Sequence, residues 1–256
     1  MNNDIVRKRN LKLNTISSLG YQIVNIICNF ILPRLILKAY GSEVNGLVNS
    51  ITQFLHVIGF LELGVGAVVQ SALYKPLAEK NYCVVSKVVA SAQKFFRRIA
   101  YVLAVYALIL MFSYPLITNQ NFGWIYTALL IFAISISSFA QYCFGIVDSL
   151  LLNADQHGYV QYITQISTIV LNTIACALLI WADAGIHAVK LTTSVFFLLR
   201  PVVFRIYINK HYKLERKIKY SEEPIKQKWN GIAQHIAAVV LEGTDVVVLT
   251  VSIICP

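Results

Sequence analysis

The stretch "FFRRIAYVLAVYALILMFSYPLI" (residues 95–117) decides the fold. Between Ile99 and Ile117 no residue is charged. About 20 mostly apolar residues in helical geometry cross the hydrocarbon of a bilayer, and this run opens on two arginines suited to the water boundary. The span it carries lies near 97–118, and six more stretches qualify, near 13–37, 46–73, 122–151, 159–181, 186–208 and 231–255. Composition agrees: 57% of the 256 residues are hydrophobic, mean hydropathy is +0.63, and 13% are charged, where a soluble domain carries roughly a quarter. No run alternates for long with a period of two, which argues against a membrane barrel. The chain reads as all-α, a polytopic transmembrane helical bundle. Its longest polar segment, 209–230, is too short to build a soluble core.

The net charge of +10 does not point to nucleic acid, because its distribution follows the spans. With the N-terminus cytoplasmic, the inner segments are 1–12, 74–98, 152–158 and 205–228, and they hold eighteen of the 22 Lys and Arg residues. The outer loops near 113–121 and 182–185 hold none. Basic residues concentrate on the cytoplasmic side of membrane proteins, where they meet anionic headgroups. Within 81–106, Lys87, Lys94, Arg97 and Arg98 precede the third span, so this segment is expected to be a basic amphipathic helix at the inner membrane surface. The N-terminus lacks the short apolar core and small-residue cleavage site of a signal peptide, and the first span is read as uncleaved.

Several spans carry a polar face. Asn14, Ser18, Gln22, Asn25 and Asn29 recur at helical spacing on the first and fall within an arc of about 80°. Asn45, Asn49, Thr52, Gln53 and His56 do so on the second, and Gln161, Gln165, Thr168 and Asn172 on the fifth. Such groups either tie helices together or close around a shared hydrophilic interior, and recurrence on three helices favours the interior. Ionisable groups within spans are costly and therefore informative. Glu62 sits among small residues in "GFLELGVGAVVQ" (59–70). Asp148 lies near the inner end of the fourth span, where reaching interfacial water competes with a functional role. Lys190 and Arg34 lie near outer ends and can snorkel outward. Arg200 is deeper, just before Pro201; it either snorkels inward or meets an anion in the interior. On the seventh span, Gln234, His235, Glu242 and Asp245 share one face of an apolar helix. Two carboxylates at i, i+3 in a low dielectric repel, which suits proton or Na⁺ handling; the competing reading is a structural partner for a cation. The path candidates are therefore Asn25, Asn29, Gln53, His56, Glu62, Gln165, Arg200, Glu242 and Asp245.

No catalytic constellation is present: there is no metal-ligand spacing, Gly-rich phosphate loop or nucleophile elbow. The five cysteines (Cys28, Cys83, Cys143, Cys176, Cys255) have no paired spacing and are expected to be free thiols. No cofactor or metal is expected, and the five histidines do not pair.

The segment "LPRLILKAYGSEVNGLVNSITQFLHVIGFLELGVGAVVQSALYKPLAEKN" (32–81) resembles the first two helices of polysaccharide flippases of the Wzx type. There an Arg ends the first helix, a Gly-bearing loop follows, and the second helix carries an L-[DE]-L-G-[LV]-G-like motif. Arg34, Tyr40, Gly41, Gly46 and Leu61 to Gly66 stand at those positions. The segments "LLNADQHGYVQY" (151–162), "LLRPVVF" (198–204) and "WNGIAQHIAAVVLEGTDVVVLT" (229–250) are similar to later helices of that family. The resemblance implies the fold shared with multidrug and toxin extrusion antiporters, two six-helix lobes rocking about a central cavity. This chain would then supply a six-helix N-lobe (1–208), a basic cytoplasmic linker (209–230) and the first helix of an incomplete second lobe (231–256), as a fragment that does not transport alone. It also implies a non-enzymatic flippase for undecaprenyl-diphosphate-linked oligosaccharide in the bacterial inner membrane, coupled to H⁺ or Na⁺, with the bilayer and polysaccharide assembly proteins as partners. Two rivals stay open: a cation-coupled antiporter for small amphiphiles, and a membrane-embedded polymerase or acyltransferase, which the short, nearly uncharged outer loops disfavour.

Overall fold

A computed structural model describes residues 2–56, 59–117, 122–215, 218, 224 and 225. Seven α-helices account for most of them: α1 (Asn2–His56), α2 (Gly59–Ala78), α3 (Tyr82–Ile117), α4 (Trp124–Ala140), α5 (Ile146–Ala154), α6 (Gly158–Trp181) and α7 (Ile186–His211). A π-turn, Gln141–Gly145, joins α4 to α5, and together they make one span, Trp124–Ala154. Among the described residues five helices are long and apolar enough to cross a bilayer. The chain is a multi-pass membrane bundle.

The distribution of side chains inverts the usual soluble pattern. Large apolar residues cover the outside, including Ile23 and Phe30 of α1, Phe112 of α3 and Trp181 of α6, while Asp148, Thr168, Asn172 and Ser194 are buried. Outer apolar groups face lipid without cost, and inner polar groups hydrogen-bond across helices.

The first two expected spans run together. α1 continues through Pro33, and its only departure from helical geometry is Gly41, at φ 82°. That left-handed backbone is tolerated by glycine and disfavoured for residues with a Cβ, so the chain breaks direction there while staying helical on both sides. Tyr40 anchors the break by donating its hydroxyl hydrogen to the Ala184 carbonyl at the α6–α7 turn. The expected second span, 46–73, is divided between the end of α1 and α2, and residues 57–58 lie outside the described residues.

α1 packs along α6. Gly20 lies over Ile166, where an added Cβ would stand 3.9 Å from Cδ1. Asn14 reaches the start of α6: its side-chain oxygen accepts from the Tyr159 N–H at 2.7 Å, and its amide donates to the Gln156 carbonyl at 3.0 Å. The first N–H groups of a helix have no partner within it, and α6 has no side-chain cap of its own. Asn14 supplies one from another helix.

The third span differs from expectation. Residues 82–117 are one helix of 36 residues, so the basic segment before the span does not form a separate helix lying along the surface. Val85, Val88, Val89, Ala92 and Phe96 on its inner face are buried, and the Glu215 N–H donates to Ser86 Oγ at 3.0 Å. Burial of this apolar stripe keeps the segment in line with the span.

Candidate functional site

Between the second half of α1, the fourth span and α7 lies a cavity of about 440 Å³. α1 contributes Thr52, Leu55 and His56; the fourth span contributes Ile134, Ser137, Ser138, Gln141 and Tyr142; α7 contributes Lys190, Thr193, Ser194, Phe197 and Arg200. The α7 residues recur at i, i+3, i+4, i+7 and i+10, which keeps most of them on one helix face. Ser194 Oγ donates to the Ala133 carbonyl and the His187 ring nitrogen Nε2 lies 2.8 Å from the Tyr126 carbonyl, so α7 is clamped to α4 at the end of the cavity nearer the start of both helices.

The π-turn shapes the cavity wall. A single wide turn within an α-helix shifts the residues after it around the axis, a feature frequent at functional sites. Here it accompanies Gln141 lying across Gly145: a Cβ on Gly145 would stand 2.4 Å from Gln141 Oε1. Glycine leaves the space in which the Gln141 amide rests.

Two cations line this space and no described lining residue is acidic. Arg200 is held rigidly. Its Nε donates to Thr168 Oγ1 at 2.8 Å, and its guanidinium carbon sits 4.0 Å from the Phe197 ring centroid, a cation–π contact. Pro201 has no N–H to offer the Phe197 carbonyl one turn back. Arg200 thus faces the interior, the second of the two placements its depth allows. Lys190 lines the same space, on the helix face of Thr193, Ser194 and Phe197. Among the described residues neither cation pairs with a carboxylate. A guanidinium, an ammonium and several hydroxyl donors around a space of about 440 Å³ are a donor set for an anion.

The remaining candidates fall elsewhere. His56 lines the cavity, whereas Gln53 and Asn29 are exposed and Asn25 and Gln165 are half-buried away from it. The polar stripe of α6 serves the α6–α7 contact: Thr168 holds Arg200, and Asn172 is buried beside Cys176, whose thiol lies 3.3 Å from Asn172 Oδ1 and 3.5 Å from Thr193 Oγ1. Asp148 does not reach interfacial water. It is fully buried and pairs with Arg205 at 2.7 Å, since α5 and α7 pack together there. The Glu62 side chain, Gln234, His235, Glu242, Asp245 and the expected seventh span lie outside the described residues, as does most of 209–230. The described cysteines, Cys28, Cys83, Cys143 and Cys176, are free thiols.

A second polar cluster fastens the end of α7 to the α5–α6 turn. Tyr212 donates to Asp155 Oδ2 at 2.5 Å, and His157 Nδ1 lies 3.2 Å from the same oxygen. Burial, and then the Asp155 charge, push the Tyr212 phenol far above its usual range, so it stays a donor at any physiological pH.

The residues that sequence reading passed over are Ser137, Ser138, Gln141, Thr193 and Ser194. Their signal was available: they are the polar members of their spans and recur at three- and four-residue spacing. Comparison with protein-family models, with curated proteins and with solved structures finds no match to this chain.

Proposed function

We propose that the chain forms part of a membrane transport path for an amphiphilic anion, as a flippase moving polyprenyl-diphosphate-linked oligosaccharide across the bacterial inner membrane. The observation that carries this reading is the cavity lined by Lys190 and Arg200 with no acidic residue among its described lining. A diphosphate offers two phosphate groups to such a pair. The hydroxyls and amides of Ser137, Ser138, Gln141 and Thr193 suit sugar hydroxyls, and the exposed apolar belt leaves the lipid tail in the bilayer. A volume of about 440 Å³ falls in the range of small-ligand sites, roughly 300–1,000 Å³, which is room for a headgroup and not for the whole lipid.

Movement of this kind breaks no covalent bond, and the reading is non-enzymatic. The concentration of basic residues in alternate loops supports a cytoplasmic N-terminus. Asn29 fits the same scheme: it is exposed on a spanning helix, where polar groups are costly unless they meet water, substrate or another helix. The antiporter reading is less favoured for cationic drugs, because Lys190 and Arg200 repel them.

The test is binding of polyprenyl diphosphate and of the uncharged polyprenol to purified protein. The reading requires tight binding of the diphosphate and a loss of about tenfold or more in Lys190→Met and in Arg200→Met. Equal binding of the neutral alcohol, or variants that bind as the wild type does, would remove it.

A further inference from the structure

We propose that the outward face of α3 binds one acidic phospholipid, with its phosphate on Lys94, Arg97 and Arg98 and an acyl chain along the apolar stripe that follows. This surface is separate from the cavity, whose described lining includes no α3 residue, and the inference does not depend on the flippase reading.

The sequence positions supply the first argument. Taking Lys94 as the origin and about 100° per residue, Arg97, Arg98, Tyr101, Val105, Leu108, Ile109 and Phe112 all fall within an arc of about 120°. Val88, Ala92, Phe96, Leu103 and Leu110 fall on the opposite arc and are buried in the bundle. One face of α3 is therefore used for packing. The other is open, basic at one end and apolar along the rest, with Tyr101, Val105, Leu108, Ile109 and Phe112 each more than half exposed.

Helix length supplies the second. α3 has 36 residues, about 54 Å at 1.5 Å per residue, against a hydrocarbon thickness of about 30 Å. Counting about 20 residues back from the far end places Arg97 and Arg98 at the boundary of the hydrocarbon. Three cations stand where a headgroup phosphate lies, and the stripe continues in the direction its acyl chain runs.

The third argument is a shaped surface with unspent charge. A depression of about 290 Å³ is lined by Ala90, Gln93, Lys94, Arg97, Arg98 and Tyr101. Among the described residues none of the three cations pairs with a carboxylate. Arginine forks match phosphate oxygens in a bidentate geometry, and Tyr101 is of the residue type enriched at headgroup level. Free phosphate would use the cations and leave the stripe idle. The continuity of the two commits the face to a lipid.

The experiment uses the whole chain in nanodiscs containing equal phosphatidylglycerol and phosphatidylcholine, transferred to neutral detergent and weighed intact with its retained lipid. Wild type should keep one phosphatidylglycerol in preference to phosphatidylcholine. The K94Q/R97Q/R98Q variant should bind it of the order of a hundredfold more weakly, at the usual contribution of each basic residue near an anionic surface. The K210Q/K213Q control should bind as wild type does. Equal retention of the two lipids, retention unchanged in the triple variant, loss in the control, or displacement of phosphatidylglycerol by equimolar polyprenyl diphosphate would each overturn the proposal. A second readout leaves the cations intact: Tyr101→Trp, with the native tryptophans replaced by phenylalanine, should be quenched more by brominated phosphatidylglycerol than by brominated phosphatidylcholine. Equal quenching would overturn it as well.

Discussion

Asp148 and Arg205 meet inside the bundle at 2.7 Å, and Asp148 has no exposed surface. Removing one member strands a buried charge, at a cost of about 3–5 kcal/mol, whereas replacing both by apolar residues of similar size is often neutral. Arg205→Met, which takes the guanidinium away from the fully buried Asp148, is therefore expected to lower the unfolding free energy by that amount in detergent titration. Asp148→Leu combined with Arg205→Met should recover most of the loss. At this scale the sequence was informative about which residues are unusual and weak on what they touch. Asp148 and Arg200 stood out because charge in a span is rare. Their partners, Arg205 and Thr168, sit 57 and 32 positions away, and only the packing of α5 and α6 on α7 brings them together. Lys190, placed near a helix end by the sequence, lines the same cavity as Arg200, a neighbourhood that only the rotation of α7 fixes.

Elements were more legible than contacts, because the bilayer imposes length and apolarity on each span independently of tertiary structure. The stretches near 97–118, 122–151, 159–181 and 186–208 correspond to α3, the α4–α5 span, α6 and α7. Two features escaped. The π-turn, Gln141–Gly145, is accompanied by the Gln141 amide lying over Gly145, an arrangement with no sequence signature. The union of the first two spans depends on helical geometry resuming at once after Gly41, where a longer loop was the simpler expectation. Asn14 belongs to a stripe of five polar residues on one helix, yet it caps α6 while Asn29 stays exposed. Asn14→Ala is expected to cost about 0.5–2 kcal/mol, the usual worth of an N-cap, and to speed hydrogen exchange at the Tyr159 amide. Asn29→Leu should leave both quantities unchanged.

For the whole molecule, the charge distribution and the cavity make separate claims. The first concerns orientation: basic residues cluster in alternate segments, and the proposed orientation puts those segments on the cytoplasmic side. In an otherwise cysteine-free chain, Asp183→Cys should react with an impermeant maleimide applied from outside intact cells, and Lys213→Cys should react only after permeabilisation. The reverse pattern would invert the topology. The second claim is central. On the proposed reading Lys190 and Arg200, with no described acidic neighbour in the lining, receive an anionic headgroup in the interior of the bundle. The most direct measurement places a reporter inside that space. In the cysteine-free chain carrying Ser138→Cys, the rate of alkylation is followed with and without polyprenyl diphosphate. The account predicts that the diphosphate slows the reaction, that polyprenol does not, and that Lys190→Met with Arg200→Met abolishes the protection. Protection by both lipids alike, or protection that survives the loss of both cations, would contradict it.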